Sequence, residues 1–329
     1  MITNLPNQFD HHANASDRLQ PDDWLYDRAV LQWLSNSTLT TQLPLPYQIF
    51  GWYSHLYFQL TKQNYLKGGR GLFRFISKVF SRFYPDRDLE LELTNYRVFL
   101  NPTDMRLFQV VNELSERDTD IAVLSHLLKE GDTFLDVGAN HGSFAIVASK
   151  LLGADGLVIA VEPQPRLAKA IAKSLSANAL CKFHIYNLAV GDRDGEIELL
   201  VPIGTSGSAG IFPEHSATHD HNAIKVPLRR FDQLVDWQNF TGRVMLKLDV
   251  EGSECVFLEG ARQMITSLKP KLIIEVHPNS LKAAGATGDR LKQLLLELGY
   301  KHYAELHEWD LLYPLENLNT SQQRNVMIV

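Results

Sequence analysis

The sequence has few of the features that mark secreted, disulfide-stabilised or membrane-spanning proteins. Its 329 residues include 2 cysteines, Cys181 and Cys255, which are too few for a disulfide framework and form no CxxC pair. It has no run of about 18 consecutive apolar residues, the length that a membrane-spanning helix needs. Its first residues are polar and acidic and lack the basic start of a secretory signal. We therefore expect a cytoplasmic protein without a transmembrane segment.

The sequence also lacks an excess of positive charge. Its 32 Lys and Arg residues face 38 Asp and Glu residues, which gives a formal net charge of -6 at pH 7. Proteins that bind nucleic acid usually carry an overall or regional excess of basic residues. We therefore expect no nucleic-acid partner.

Residues 1–88 differ from the rest and are predicted to form a mostly helical N-terminal extension of a main domain at 89–329. Within the extension, GLFRFISKVFSRFY (71–84) places apolar residues on one side of a helix and basic residues on another. The apolar side could pack on the main domain, or the helix could make a peripheral contact with an anionic membrane or a partner. The pattern leaves both interpretations open.

From residue 89 onward, short apolar runs alternate with helical patterns. This alternation predicts an α/β fold with a doubly wound, mostly parallel sheet and helices on both faces. A segment at 196–228 interrupts it with an inserted strand pair around a Gly-, Ser- and His-rich loop, which we interpret as a lid. The predicted central strands are 133–137, 157–161, 183–190, 244–248, 271–276 and 325–329, and the predicted helices are 118–129, 143–152, 165–177, 254–268 and 280–298.

A glycine turn follows the first of these strands, TFLDV, and a predicted helix starts directly after it. Glycines allow a ligand to approach the backbone closely, and the helix start offers free N–H groups. Asp136 at the head of the turn would repel the pyrophosphate of NAD but suits a ligand with an ammonium or sulfonium charge. The pattern favours S-adenosylmethionine. The predicted cofactor contacts here are Asp136, Gly138, Ala139, Asn140, His141 and Gly142.

The next two strand ends supply the rest of the predicted cofactor site. Glu162 ends the second strand, where a carboxylate can accept hydrogen bonds from both ribose hydroxyls, and Pro163 sets the turn beyond it. Ala189, Val190 and Asp192 follow the third strand and are predicted to contact the adenine. Asp192 could equally belong to an ordinary Gly-Asp turn.

Acidic residues and a histidine mark the ends of the fourth and fifth strands. Asp249 and Glu251 follow VMLKL, and His277 follows IIEV. A carboxylate there could deprotonate a hydroxyl or orient the substrate, and His277 could be a base or only a hydrogen-bonded rim residue. Asp249, Glu251 and His277 are therefore the candidate catalytic residues. The histidines of HSATHDHN (215–222) do not match a zinc-binding spacing, so we assign no metal site.

Several segments, in order, resemble the FkbM-type methyltransferase family of the class I, Rossmann-like fold. They are GDTFLDVGANHGSFAIVAS (131–149), VIAVEPQPRLAKAI (158–171), NLAVGDRDGEIEL (187–199), VPLRRFDQL (226–234), VMLKLDVEGSECVFLEGA (244–261) and LIIEVH (272–277). The resemblance implies a seven-stranded sheet and S-adenosylmethionine-dependent methylation, usually of a hydroxyl oxygen. It implies cofactor contacts by residues matching its motif, and a site element at 249–252. The residues carried over as cofactor contacts are Asp136, Gly138, Asn140, Gly142 and Glu162.

The resemblance also suggests the class of acceptor, which would be a hydroxyl on a sugar, a glycan or a natural product. Two other functions remain as alternatives. One is a subunit that binds S-adenosylmethionine without catalysis, and the other is an NAD-linked oxidoreductase, against which Asp136 argues. Function transferred through a shared fold is an analogy.

Overall fold

The computed structural model describes residues 88–101, 104, 106–114, 119–202, 206 and 221–329, together with the isolated Leu45. The predicted helix at 71–84 and almost all of the N-terminal extension lie outside these residues. Most of the predicted lid loop also lies outside them. Among the residues described, no helix combines the length and apolar character that a membrane span requires.

Strands and helices alternate along the described chain. The strands are β1 (Leu89–Glu92), β2 (Arg97–Leu100), β3 (Thr133–Val137), β4 (Leu157–Val161), β5 (Lys182–Tyr186), β6 (Ala189–Gly191), β7 (Gly195–Pro202), β8 (His221–Arg230), β9 (Val244–Leu248), β10 (Lys271–Val276), β11 (His302–Glu305), β12 (Tyr313–Pro314) and β13 (Arg324–Ile328). The helices are α1 (Leu107–Leu114), α2 (Thr119–Ala122), α3 (Leu124–Leu127), α4 (Ser143–Leu151), α5 (Pro165–Asn178), α6 (Phe231–Leu234), α7 (Glu254–Gly260), α8 (Arg262–Leu268), α9 (Pro278–Ala283) and α10 (Gly288–Glu297).

The central sheet has the strand order β12-β11-β13-β10-β9-β3-β4-β5. The run from β10 to β5 is parallel, whereas the pairs β10–β13, β13–β11 and β11–β12 are antiparallel. The predicted doubly wound, mostly parallel sheet is confirmed, but the prediction of seven strands is wrong because the sheet has eight strands in the described part of the chain. Neither β11 nor β12 was among the strands predicted from the pattern, and β12 is only two residues long, so no hydrophobic pattern could have indicated it.

Both faces of the sheet are buried, which explains the continuous apolar runs in its strands. Phe134 of β3 faces one hydrophobic cluster, whereas Leu135 and Val137 face the other. Alternation along one buried strand therefore supplies both cores. Helices α4 and α5 contribute to the first cluster, and α7, α8 and α10 contribute to the second.

Three of the long helices were predicted as continuous, but each is divided into two. The helix predicted at 254–268 is divided at Ala261 into α7 and α8. The carboxylate of Asp232 accepts hydrogen bonds from the backbone N–H groups of Gln263 (2.8 Å) and Met264 (2.9 Å), which caps the start of α8. The helix predicted at 280–298 is likewise divided into α9 and α10, and the predicted helix 118–129 into α2 and α3.

A second sheet, of order β6-β8-β7, forms beside the central one. The predicted strand pair is confirmed as β7 and β8, which are antiparallel and place Ile197 opposite Val226. The single strand predicted at 183–190 is wrong, because its first part is β5 of the central sheet and its end belongs to β6.

Candidate active site

The candidate site lies where the strand order of the central sheet reverses. The chain runs from β3 to β4 and β5 on one side and later forms β9 and β10 on the other. Asp136 and Lys247 face each other in the register of β3 and β9, next to this point. In open α/β sheets, ligands bind in the crevice beyond the carboxyl ends of the strands at such a reversal.

The glycine turn (residues 138–142) joins β3 to α4. Gly138 (φ +78°), Asn140 (φ +52°) and Gly142 (φ +78°) are left-handed, a conformation that favours glycine. Gly138 is required for a second reason, because a Cβ atom there would lie 1.8 Å from the carbonyl oxygen of Asp249. The turn after β3 and the chain after β9 are therefore in direct backbone contact.

The carboxylate of Asp136 is buried beneath the glycine turn. One oxygen, Oδ2, accepts a hydrogen bond from the backbone N–H of Ala145 (3.0 Å), in the first turn of α4. The other oxygen, Oδ1, is buried and has no hydrogen-bond partner among the described residues. Burial raises the pKa of Asp136 to about 6, although the Lys247 ammonium and the hydrogen bond from Ala145 act against this rise.

Glu162 follows β4, and backbone donors hold its carboxylate. Its Oε2 accepts a hydrogen bond from the N–H of Asn140 and its Oε1 accepts one from the N–H of Gln164, both at 2.8 Å. Burial raises the pKa of Glu162 to about 7. Each oxygen has further acceptor capacity, so both could still receive a hydroxyl donor.

Asn140 and Gln164 each donate a second hydrogen bond, to the same carbonyl. Their side-chain amides reach the backbone oxygen of Ser206, at 3.1 Å from Asn140 and 3.2 Å from Gln164. Ser206 is buried and lies within the segment predicted as a lid. The same two residues therefore bind the Glu162 carboxylate through their backbones and the inserted segment through their side chains.

The other predicted cofactor contacts are placed as follows. Ala139 is buried in the glycine turn and donates its N–H to the carbonyl of Val161, and the carbonyl of Pro163 accepts a hydrogen bond from Asn187. Ala189 and Val190 lie in β6 of the second sheet. Asp192 is exposed and pairs with Arg193 at 3.1 Å. The residues predicted to contact the adenine therefore lie beyond the end of β5, in or just after a strand of the second sheet.

Three carboxylates cluster at the ends of β9 and β10. Oxygens of Asp249, Glu251 and Glu275 all lie within 4.8 Å of one another, close enough to share a cation or protons. The ammonium of Lys247 lies 3.0 Å from Asp249 and over the ring of Phe144. Lys247 therefore supplies positive charge at one side of the cluster.

The members of this cluster differ in their tendency to ionise. Burial opposes ionisation of Asp249, but the adjacent Lys247 ammonium outweighs it and lowers the pKa of Asp249. Burial and the charge of Asp249 raise the pKa of Glu251 to about 8 and raise that of Glu275 well above its ordinary value. The cluster thus combines an ionised carboxylate with two that retain protons at neutral pH.

The backbone beyond β9 holds Glu251 in an uncommon conformation. Glu251 is left-handed (φ +49°), and Gly252, which follows it, packs so closely on the carbonyl of Ser280 that a Cβ would lie 2.3 Å from this oxygen. The buried carboxylate of Glu254 accepts hydrogen bonds from the N–H groups of Val250 (3.3 Å) and Gly252 (3.1 Å). Such strain in a non-glycine residue persists only where its surroundings enforce it.

His277 has a structural contact. Its Nδ1 accepts a hydrogen bond from the N–H of Ser280 (3.2 Å), which makes His277 the N-cap of α9. It lies at the end of the strand that carries Glu275, but one ring nitrogen already serves the helix. Of the three candidate catalytic residues, Asp249 and Glu251 belong to the carboxylate cluster and His277 caps a helix.

Comparison with known families agrees with this architecture. The family model described as the methyltransferase FkbM domain matches residues 136–302, just over half of the chain. The match begins at Asp136 and includes the glycine turn, Glu162 and the carboxylate cluster. The chain belongs to the FkbM methyltransferase family. No curated protein sequence matches it.

The solved structures that this chain is similar to have low sequence identity to it. The methyltransferase FkbM from Methylobacillus flagellatus KT is 16% identical, with a TM-score of 0.38 and coverage of 68% of this chain and 53% of that one. Trm5b from Pyrococcus abyssi is 13% identical, with a TM-score of 0.36 and coverage of 74% and 55%. TYW2 from M. jannaschii, in complex with AdoMet, is 12% identical, with a TM-score of 0.38 and coverage of 74% and 84%. The present chain spans about half the length of the first two of these proteins.

Several residues that hold the site together were not among those predicted from the sequence. Gln164 and Ser206 are among them, as is Asn187, whose amide donates to the carbonyls of Glu162 (2.9 Å) and Pro163 (3.0 Å). Asp104 and Arg166, which pair at 2.7 Å, are the others. Gln164 follows a predicted strand, as the identified residues do, so its position was the signal that could have revealed it. Asn187 was hidden because it fell inside the strand predicted at 183–190, whereas the observed strand ends at Tyr186.

Proposed function

We propose that this protein is an S-adenosylmethionine-dependent methyltransferase that methylates a hydroxyl oxygen of a sugar, a glycan or a natural product. The observation that carries the proposal is the contact between the glycine turn and the chain after β9. A Cβ at Gly138 would lie 1.8 Å from the carbonyl of Asp249, so a cofactor cradle and a cluster of proton-accepting groups adjoin. A hydroxyl acceptor needs both, because it must lose a proton as it gains the methyl group.

The residues of the cradle fit S-adenosylmethionine. The buried Oδ1 of Asp136 has no hydrogen-bond partner among the residues that the structure describes, and it could face the ammonium or sulfonium charge of the ligand. A pyrophosphate, by contrast, would meet this carboxylate at the position where a dinucleotide needs free N–H donors. The oxygens of Glu162 could accept the ribose hydroxyls. When bound, the cofactor would supply a methyl group that its sulfonium already activates, so the protein has mainly to position the acceptor.

Glu251 is the base in this proposal. Asp249 is ionised, but the nearby Lys247 ammonium stabilises its charge and makes it a weak proton acceptor. The pKa of Glu251, about 8, lies near the operating pH, where a general base works best. Glu251 would take the proton of the acceptor hydroxyl while Asp249 accepts a hydrogen bond that orients it. His277 is the second candidate base.

A titration tests the cofactor assignment first. We expect the purified protein to bind S-adenosylhomocysteine in calorimetry and to bind NAD far more weakly. Tight NAD binding without S-adenosylhomocysteine binding would instead support the oxidoreductase. The protein is then incubated with methyl-labelled S-adenosylmethionine and glycan or metabolite extracts.

The labelled transfer distinguishes the enzyme from a non-catalytic subunit. We expect the unaltered protein to form a labelled, alkali-stable ether product. Glu251→Gln should form it at a rate at least about 100-fold lower. Binding of S-adenosylhomocysteine should be similar in both. Cofactor binding without transfer to any acceptor would favour the non-catalytic alternative, and equal transfer by Glu251→Gln would exclude Glu251 as the base.

A further inference from the structure

Asp104 lies outside the matched family domain, in the loop between β2 and α1, yet it contacts both sides of the cofactor cradle. Its side chain is buried, with 3% exposed. Oδ2 accepts a hydrogen bond from the guanidinium of Arg166 (2.7 Å), in the first turn of α5 just beyond Glu162. The same oxygen lies 3.5 Å from Nε2 of His141, in the glycine turn.

The other oxygen of Asp104 binds the inserted segment. Oδ1 accepts hydrogen bonds from the backbone N–H of Ser206 (3.2 Å) and from that of Arg106 (3.1 Å). The carbonyl of Ser206 receives the amides of Asn140 and Gln164, whose backbones bind Glu162. One carboxylate thus connects the residues at the glycine turn, the start of α5 and the segment between β7 and β8.

The hydrogen bonds also define the state of the His141 ring. Because the amide nitrogen of Asn140 donates to Ser206, its oxygen is the acceptor that faces Nδ1 of His141 at 3.0 Å, so Nδ1 carries a proton. Burial lowers the pKa of His141 to about 4, so the ring is neutral at neutral pH. Its Nε2 then presents a lone pair to Asp104, which explains why this buried nitrogen has no hydrogen-bond partner in the described part of the chain. The hydrogen bonds that hold the Asp104 carboxylate come from Arg166 and the two backbone donors.

We propose that Asp104 is a positioning residue for the cofactor site, which holds the glycine turn and the Glu162 turn at the separation that the ligand requires. The inference rests on the proposed function. Asp104 touches neither ligand nor reacting atoms in this account, and acts through Arg166 and Ser206. Loss of one anionic oxygen should therefore loosen the cradle before any ligand binds, and the ligand must then restore its order at the expense of affinity.

A buried aspartate at the opposite end of β3 offers a matched control. The carboxylate of Asp132 accepts hydrogen bonds from the guanidinium of Arg243 (2.6 Å) and from the backbone N–H of Lys129 (2.9 Å). Like Asp104, it is a buried carboxylate that binds one arginine and backbone donors. It precedes the amino end of β3, whereas the cradle follows the carboxyl end, so its replacement should affect stability alone.

The experiment compares Asp104→Asn with Asp132→Asn in the full-length protein. Affinity for S-adenosylhomocysteine is measured by calorimetry, and thermal unfolding is measured without ligand. We expect both variants to unfold at lower temperature. The Kd for S-adenosylhomocysteine should rise at least about tenfold in Asp104→Asn, the loss expected for a hydrogen bond to a charged group, and stay within about twofold in Asp132→Asn.

Other outcomes overturn distinct parts of the argument. If Asp104→Asn and Asp132→Asn both bind as the unaltered protein does, Asp104 only stabilises the fold and the inference fails alone. If the unaltered protein binds no S-adenosylhomocysteine, the proposed function fails and takes the inference with it. Should Asp104→Asn not fold, Arg166→Gln removes the same ion pair by changing its more exposed partner. An unchanged Kd for S-adenosylhomocysteine in that variant overturns the inference.

Discussion

Asp136 and Lys247 face each other across the junction of β3 and β9, and Lys247 lies 3.0 Å from Asp249. The lysine therefore stands between the carboxylate at the head of the glycine turn and the one that follows β9. Burial acts against its charge, yet Asp249 and Asp136 raise the pKa of Lys247 above its ordinary value. One largely buried cation, with 12% of its side chain exposed, thus compensates carboxylates in both the cofactor part and the acceptor part of the site.

Replacing Lys247 with Met should leave these carboxylates without compensation. We expect Lys247→Met to lower the free energy of unfolding at pH 8 by up to about 3 kcal/mol, the lower end of the range found when one partner of a buried ion pair is removed, because 32% of the Asp249 side chain is exposed. The loss should be smaller at pH 5, because Asp136, with a pKa of about 6, is then protonated. Denaturant unfolding at the two pH values measures this. Lys271→Met, at an exposed position at the start of β10, is the control, and an equal loss at both pH values would contradict the explanation.

The pH dependence of methyl transfer should report the ionisation of the carboxylate cluster. Glu251 acts as a base only when deprotonated, so kcat/KM should rise with pH and level off above an apparent pKa near 8. This value belongs to the coupled cluster rather than to one group. Glu251→Gln should remove the rise together with most of the activity, whereas Glu130→Gln, an exposed residue before β3, should keep the profile unchanged. A profile without an inflection between pH 7 and 9 would count against Glu251.

Gly138 and Gly131 separate backbone strain from steric conflict. Both are left-handed, with φ of +78° and +82°, but only Gly138 faces a close backbone atom. Gly131→Ala should cost about 1 kcal/mol of stability, from the left-handed conformation alone. Gly138→Ala should cost clearly more and should abolish S-adenosylhomocysteine binding, because a Cβ must displace the chain after β9. Equal unfolding midpoints for the two variants would argue against the contact between Gly138 and Asp249.

The ligand-free protein should become less stable as pH rises from about 5 to 8. The folded pKa values of Glu162 and Glu254 are about 7, above the ordinary value of 4.5, so between these values the folded state binds more protons than the unfolded state. The contribution of these two carboxyl groups to stability is therefore fully present below their unfolded pKa and is lost as pH rises through their folded pKa. Thermal unfolding across this range measures the decline.

Glu254→Gln tests which group causes that decline. An amide keeps an oxygen for the N–H groups of Val250 and Gly252 and cannot ionise. We therefore expect a shallower fall of the unfolding temperature between pH 5 and 8 than in the unaltered protein. Glu297→Gln removes an exposed carboxylate of α10 that pairs with Arg290, and it should leave the dependence of the unfolding temperature on pH unchanged. A slope unaffected by Glu254→Gln would mean that this carboxyl does not titrate in the range.

The sequence predicted those elements whose boundaries are set by neighbouring residues, and it failed where a residue distant in the sequence sets them. The strands β3, β4, β9 and β10 were predicted with the bounds observed, because both faces of each are buried and the apolar run is continuous. The inserted pair β7 and β8 was also predicted, and it begins one residue before and ends two residues after the predicted segment 196–228. The division of the helix at Ala261 was not, since Asp232, which caps α8, comes about 30 residues earlier and its carboxylate is indistinguishable in the sequence from any surface acid.

The sequence by itself determined the glycine turn, its acidic head and the order of polar groups at successive strand ends, since each depends on neighbouring residues. Only the tertiary structure decided which of these groups meet. It placed Asp249, Glu251 and Glu275 in one cluster beside Lys247 and joined Asp104 to Arg166 across 62 residues of chain. It also decided their protonation, because burial and nearby charge set the pKa of a carboxyl, and both arise only when distant strands pack together.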